Sequence, residues 1–139
     1  MPRLLCIDYG KKRTGIAISD PLQIIASGLC TVESKELIPF LKKYIPEENV
    51  STIILGEPKN IDERDTHATH LVRDLFATLN KVFPHIPVVL HDETYSSKKA
   101  KAAMIEMGLK RKDRRVKGNV DVIAATIILQ EYMEENSTF

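Results

Sequence analysis

The first twenty residues carry the feature that most constrains the fold, two short apolar runs separated by a basic turn. Residues 4–7 are all apolar, but this run is too short for a helix, and the acidic Asp8 follows it. Gly10 and the three cations of the basic turn, residues 11–13, come next. The second run ends at Ser19, and in it the small residues Gly, Ala and Ser alternate with Ile. This pattern predicts a buried strand, a tight turn and a returning strand.

Asp8 then lies at the end of a central strand and faces the basic turn. A buried carboxylate without a partner costs free energy, so we expect the fold to supply a cation. A divalent metal ion is the obvious candidate. Asp8 could instead form a turn or accept a hydrogen bond from a helix N-terminus.

Length and composition indicate one domain. The 139 residues are 43% hydrophobic and 28% charged, which suits one ordinary core and leaves no room for a second domain. We therefore expect a single domain over residues 1–139. The sequence contains neither a signal-peptide core nor a run long enough to cross a bilayer, so we expect a cytoplasmic protein without a membrane partner. Cys6 and Cys30 stand in apolar surroundings, and we expect two reduced thiols.

Basic residues are concentrated in one stretch, the basic segment, residues 98–117. It contains nine Lys or Arg residues and two acidic residues, which gives a net charge of +7. The rest of the chain contains eleven Lys or Arg residues and seventeen acidic residues, which gives a net charge of −6. This distribution indicates a polyanionic partner such as nucleic acid, and a solvated charged loop is the alternative. The candidate nucleic-acid contacts are Arg13, Lys98, Lys99, Lys110, Arg111, Arg114 and Arg115.

Hydrophobic periodicity predicts three strands, then helix, strand, helix, strand and two helices. Ser34 is placed to cap the first helix. Helices between the first, fourth and fifth strands favour parallel crossovers, and the opening hairpin adds antiparallel strands at one side, so we expect a mixed five-stranded α/β sheet flanked by helices. After the opening hairpin the predicted elements are strands over 27–32, 52–55 and 88–90 and helices over 36–44, 66–83, 96–107 and 120–134.

Three carboxylates that are far apart in sequence can meet at one edge of this sheet. Asp8 ends the first strand, Glu93 ends the fifth, and Asp121 lies in the first turn of the last helix. Like charges in a small space repel, and divalent cations held by oxygen ligands relieve this while leaving room for phosphate oxygens and water. Such a site suits phosphodiester hydrolysis. Asp121 could instead simply favour a helix N-terminus, and of the neighbours Asp92 and Glu93 only one can point at the site.

Motifs over nearly the whole chain carry a family resemblance. They are Ile7-Asp8-Tyr9-Gly10 with Arg13, Gly15, Ala17 and Ser19-Asp20, then Gly56 with Pro58, Asp92-Glu93 with Ser96-Ser97, and Asp121 with Ala124-Ala125 and Ile128-Leu129-Gln130. This set resembles the YqgF/RuvX family, whose members have a ribonuclease H-like fold similar to that of Holliday-junction resolvases and are regarded as pre-16S rRNA nucleases acting in ribosome maturation. The resemblance implies that Asp8, Glu93 and Asp121 form an acidic catalytic site that binds Mg²⁺ or Mn²⁺.

One departure from the family pattern affects the predicted site. Thr94 stands where an Arg commonly follows the Glu. If that Arg contacts phosphate or pairs with a site carboxylate in the family, this protein must do without it. Lys98, Lys99 and Arg13 are the candidates to substitute for it.

The leading function is therefore metal-dependent hydrolysis of structured nucleic acid, with the 16S rRNA precursor as the expected substrate and branched DNA as a second class. A catalytically weak nucleic-acid-binding module is an alternative, because fold alone does not guarantee activity. An actin-like phosphotransferase is disfavoured, because it needs two such domains around a nucleotide. Monomer and homodimer both stay open, as does the number of metal ions.

Overall fold

The computed structural model describes residues 3–57, 67–92 and 117–135. A 3-10 turn, Ser34–Glu36, precedes the first α-helix. The predicted helix over 96–107 and the basic segment up to residue 116 lie outside the described residues. The strands and α-helices are β1 (Arg3–Tyr9), β2 (Arg13–Ser19), β3 (Ala26–Glu33), α1 (Leu37–Glu47), β4 (Val50–Glu57), α2 (His67–Val82), β5 (Val88–Asp92) and α3 (Lys117–Glu135).

The strands form one mixed sheet in the order β3-β2-β1-β4-β5. β2 pairs antiparallel with β1 and β3, whereas β4 pairs parallel with β1 and β5. The predicted mixed sheet with an antiparallel side is therefore confirmed, and β1 lies at its centre. Because β1 and β4 run parallel, the residues that end them, Tyr9 and Glu57, lie at the same edge of the sheet.

Helices pack on both faces of the sheet, as the alternation of side chains along β1 shows. Leu5 and Ile7 pack with residues of α1 and α2, so we call this side the α1/α2 face. Leu4 and Cys6 pack with residues of α3 on the opposite side, the α3 face. Buried residues of the helices on these faces are Leu37, Leu41, Ile45, Val72, Leu75 and Leu79, and Ala124, Ala125, Ile128 and Leu129.

The core on the α1/α2 face is aliphatic. Leu5, Leu41 and Leu79 are all fully buried there, and burial of a leucine side chain contributes about 1.5–3 kcal/mol to stability. The two helices are thereby fixed against β1 and β4. The packed sheet therefore supports the residues that end its strands.

The cysteines are free, as predicted. Cys6 is buried in β1, and Cys30 is half-buried in β3, where desolvation raises the pKa of its thiol. Within the described part of the chain, none of the helices has the length and apolar character that crossing a membrane requires.

Candidate active site

Asp8 occupies the position that its sequence pattern predicts, next to the carboxyl end of the central strand. It is half-buried, and alternation with Leu4 and Cys6 puts it on the α3 face. Its partner on β2 is Gly15. On the other side, Gly56 comes directly after Leu55, the partner of Ile7 on β4. Both neighbouring strands thus carry a glycine beside Asp8, and neither adds a side chain there.

The basic turn connects β1 to β2 immediately after Asp8. Lys11, Lys12 and Arg13 are all exposed. Gly10 is required here because a Cβ on it would lie 2.5 Å from the carbonyl oxygen of Arg13. The turn therefore brings three cations to the edge of the sheet at which Asp8 lies.

Ser34 holds the basic turn and does not cap α1, so that prediction was wrong. The N-cap residue of α1 is Glu36, which makes no side-chain capping bond. The Ser34 hydroxyl instead donates to the Gly10 carbonyl at 2.5 Å and lies 2.9 Å from the Thr14 hydroxyl. Its amide donates to the Lys12 carbonyl at 2.9 Å. A tertiary contact to the hairpin has replaced the local cap, because the 3-10 turn separates Ser34 from the helix.

His91 is a residue at this edge that sequence reasoning missed. It pairs with Gly56 across β4 and β5 and so lies on the α3 face, two strands from Asp8 or about 10 Å away. Its Nε2 lies 3.6 Å from an Oε of Glu131, and its Nδ1 lies 3.8 Å from an Oε of Glu135. The ring also meets Tyr132 edge-on, with centroids 6.3 Å apart. These contacts attach the end of β5 to the last turns of α3.

Sequence contained a weak signal for this contact. Glu131 and Glu135 are four residues apart and therefore share one face of a helix, and His91 alternates with the apolar Val89 on its strand. The pairing between strand and helix could not be read from these patterns, because it depends on how α3 crosses the sheet.

Asp121 lies within α3, four residues after the helix begins at Lys117. Its side chain is outside the described part of the structure. The next residue, Val122, packs on the edge strand: a Cβ on Gly28 would lie 2.5 Å from Val122 Cγ1. This end of α3 thus passes over β3 on the face that carries Asp8.

The other predicted site residues lie outside the described residues. Glu93 directly follows the last described residue of β5 in sequence. Convergence of the three carboxylates therefore stays a prediction, and among described residues no group of three His, Cys, Asp or Glu is arranged to hold a metal ion. The remaining predicted contacts outside the described part are Lys98, Lys99, Lys110, Arg111, Arg114 and Arg115.

Comparison with known proteins decides the family. The model of the RuvX family, described as "Holliday junction resolvase", matches residues 2–135. The chain belongs to the RuvX family. It is 48% identical over 134 residues to a protein of Phocaeicola vulgatus and 44% identical over 133 residues to one of Flavobacterium johnsoniae, with 96% of each chain covered in both cases. Both relatives bear the name "Putative pre-16S rRNA nuclease".

A solved structure supports the same fold for this RuvX member. Thermus thermophilus RuvC, in complex with a Holliday junction substrate, is similar with a TM-score of 0.58 and 18% identity, covering 97% of this chain and 95% of that one. The ribonuclease H-like fold predicted from the sequence is thereby confirmed. Membership of the RuvX family and the names of its relatives confirm the expectation of a nuclease.

Proposed function

We propose that this RuvX protein is a divalent-metal-dependent nuclease that hydrolyses phosphodiester bonds in the precursor of 16S rRNA. The observation that carries the proposal is the position of Asp8, half-buried at the end of the central strand, beside two glycines and a turn with three exposed cations. A carboxylate next to cations suits a site where a metal ion and a phosphate must meet. The relatives that carry the pre-16S rRNA nuclease name support the choice of substrate.

The donor set fits Mg²⁺ or Mn²⁺ by its chemistry. Asp8, Glu93 and Asp121 would hold the ion through carboxylate oxygens, the ligands that these hard cations prefer. A bound divalent cation activates water and stabilises the charge that builds up on the phosphate in the transition state. Asp8 is fixed for this role by pairing on both sides of β1.

The cations of the chain supply the other half of the proposed function. Phosphate contacts by Lys and Arg release condensed counterions and hold the substrate irrespective of sequence. The basic segment would provide most of them, with a net charge of +7 in twenty residues. We propose Lys98, Lys99, Lys110, Arg111, Arg114 and Arg115, together with Arg13, as the contacts.

Branched DNA is the second candidate substrate. The family description and the fold shared with RuvC, which was solved with a Holliday junction, favour it. A resolvase cuts two strands and needs two active sites, so this candidate predicts a homodimer. Trimming of a single rRNA strand needs one site only and is compatible with a monomer.

A cleavage assay with matched variants tests the proposal. Purified protein is incubated with precursor rRNA and with four-way DNA junctions, in Mg²⁺, in Mn²⁺ or with chelator. The variants are Asp8→Asn, and Asp74→Asn as a control that removes an exposed carboxylate from α2. We expect metal-dependent cleavage of rRNA that falls at least about 100-fold in Asp8→Asn and is unchanged in Asp74→Asn, because loss of one charge-stabilising group costs about this much.

Each outcome has a definite meaning. Equal cleavage by the wild type and Asp8→Asn would exclude Asp8 from the active site. Cleavage of junctions but not of rRNA would select the DNA substrate. Binding of either nucleic acid without cleavage under any metal condition would overturn the nuclease proposal in favour of a binding module.

A further inference from the structure

The basic turn is held more firmly than a solvated surface turn requires. Three hydrogen bonds connect the turn and the residues on either side of it to Ser34, which opens the 3-10 turn. Ser34 Oγ donates to the Gly10 carbonyl, and Ser34 N donates to the Lys12 carbonyl. Because the single Ser34 hydroxyl proton is used on Gly10, the Thr14 hydroxyl must be the donor in the 2.9 Å contact between the two hydroxyls. We call this set of contacts the Ser34 lock.

The lock also fixes the face of the sheet on which Arg13 lies. Thr14 is fully buried and pairs with Tyr9, which packs on the α1/α2 face. Alternation along β2 then puts Arg13 on the opposite side, the α3 face, together with Gly15 and Asp8. A buried hydroxyl on one face of the hairpin therefore holds Arg13 on the face of the proposed active site.

The basic turn concentrates positive charge at one end of the hairpin. Lys11, Lys12 and Arg13 are consecutive, exposed and of like charge, so their mutual repulsion opposes a tight turn. A turn that brings such cations together and is held by three hydrogen bonds is preorganised for an anion. In the proposed function the substrate bound at Asp8 is a nucleic acid, and its phosphate backbone is such an anion.

We infer that the Ser34 lock makes residues 11–13 a preformed phosphate-binding element, which binds the nucleic-acid backbone next to Asp8. Ser34 is then a positioning residue. The inference rests on the proposed function for its ligand but assigns a site outside the basic segment. Preorganisation raises affinity because the turn does not have to be ordered when the substrate binds. Each phosphate contact adds about 0.7–0.9 to the slope of log K against log salt concentration.

Fluorescence anisotropy of a labelled RNA hairpin at several salt concentrations tests the inference, with unfolding in urea as a check on folding. The first variant, K11Q/K12Q/R13Q, removes the charges and leaves the lock in place. We expect weaker binding and a salt slope reduced by about 2–3. An unchanged slope would show that the cations do not contact phosphate and would overturn the inference.

Substitution of Ser34 tests the positioning role. Ser34→Ala should weaken hairpin binding by about 3- to 10-fold, the equivalent of one lost hydrogen bond, and raise KM with little change in kcat. Ser34→Thr keeps a hydroxyl and should restore binding. Ser51→Ala is the matched control, because the Ser51 hydroxyl donates to the Arg3 carbonyl at the opposite end of the sheet.

The outcomes separate this inference from the proposed function. If Ser34→Ala binds RNA as Ser51→Ala does, the lock does not position the turn, whatever the charge variant shows. If Ser34→Ala fails to fold, the charge variant still tests whether the cations contact phosphate, and Ser34→Thr still tests whether a hydroxyl at position 34 is sufficient for binding. If the wild type cleaves nothing, the nuclease proposal fails while the binding measurements still test the turn.

Discussion

The Asp20 carboxylate organises the loop between β2 and β3, at the opposite end of β1 from Asp8. Its oxygens accept hydrogen bonds from the amides of Leu22, Ile24 and Ile25, at 3.2, 2.7 and 2.7 Å. These bonds, that from Ile25 above all, lower the pKa of the carboxyl group. The three aliphatic side chains are between 61% and 66% exposed, so hydrogen bonds rather than burial keep the loop in shape.

This arrangement predicts a pH-dependent contribution to stability. A carboxyl group whose pKa is lowered by folding stabilises the native state above its unfolded pKa of about 3.9, and the contribution is lost as pH falls through the folded pKa. Asp20→Ala should therefore lower Tm at pH 7, and the difference from the wild type should shrink as pH falls below about 4. Thermal unfolding followed by circular dichroism between pH 2 and 7 measures this.

Asp74→Ala serves as the control for Asp20→Ala, since it removes an exposed carboxylate from a helix surface. A Tm difference for Asp20→Ala that stays constant over the whole pH range would contradict the ionic origin of the effect.

The helix α3 packs closely on the edge strand β3 at Gly28. A Cβ on Gly28 would lie 2.5 Å from Val122 Cγ1 and 3.3 Å from Thr126 Oγ1. The Thr126 hydroxyl donates to the Val122 carbonyl at 2.8 Å, which limits its freedom to move aside. Glycine at this point lets the helix that carries Asp121 approach the sheet closely.

Gly28→Ala should therefore push α3 away from β3 and destabilise the protein by about 1–3 kcal/mol, the usual cost of overpacking. Val122→Ala removes the atom that is closest to the new methyl group. The double variant Gly28→Ala/Val122→Ala should lose less unfolding free energy than the two single variants lose together, since the two residues are in contact. Urea unfolding of the four proteins gives this coupling, and strict additivity would show that the helix does not press on Gly28.

The elements themselves were largely predictable from sequence, because each rests on a local pattern. Short apolar runs ending at Asp8, Gly56 and His91 predicted the three parallel strands, and apolar periodicity predicted the three described α-helices. Boundaries differed: α3 begins at Lys117, three residues before the prediction, because helical hydrogen bonding continues beyond the apolar stripe that marks it in sequence.

Contacts between distant residues were not predictable in the same way. Ser34 looked like a helix cap, and its real partners lie 24 and 20 residues away, at Gly10 and Thr14. His91 carried only a weak signal, its alternation with Val89, since its contacts with α3 depend on how that helix crosses the sheet. Of the candidate site, the position of Asp8 followed from strand and turn chemistry, whereas its predicted convergence with Glu93 and Asp121 would depend on packing that no local pattern encodes.

At the scale of the whole molecule, the proposed metal site would connect the sheet to a helix that packs on it. β1 carries Asp8 at the centre of the sheet, and α3, which packs on the same face, contains Asp121. Without a metal ion, carboxylates brought together repel one another and destabilise the fold. A metal ion that binds only the native state removes this repulsion and adds its own binding free energy to stability.

Addition of Mn²⁺ should therefore stabilise the protein even in the absence of nucleic acid. At a concentration of one hundred times Kd, the gain is about 2.7 kcal/mol, which differential scanning fluorimetry detects as a rise in Tm. Asp8→Asn should abolish most of this rise, because one of the proposed carboxylate ligands is gone. Asp74→Asn should respond to Mn²⁺ as the wild type does, and an equal rise in Asp8→Asn would place the metal site elsewhere.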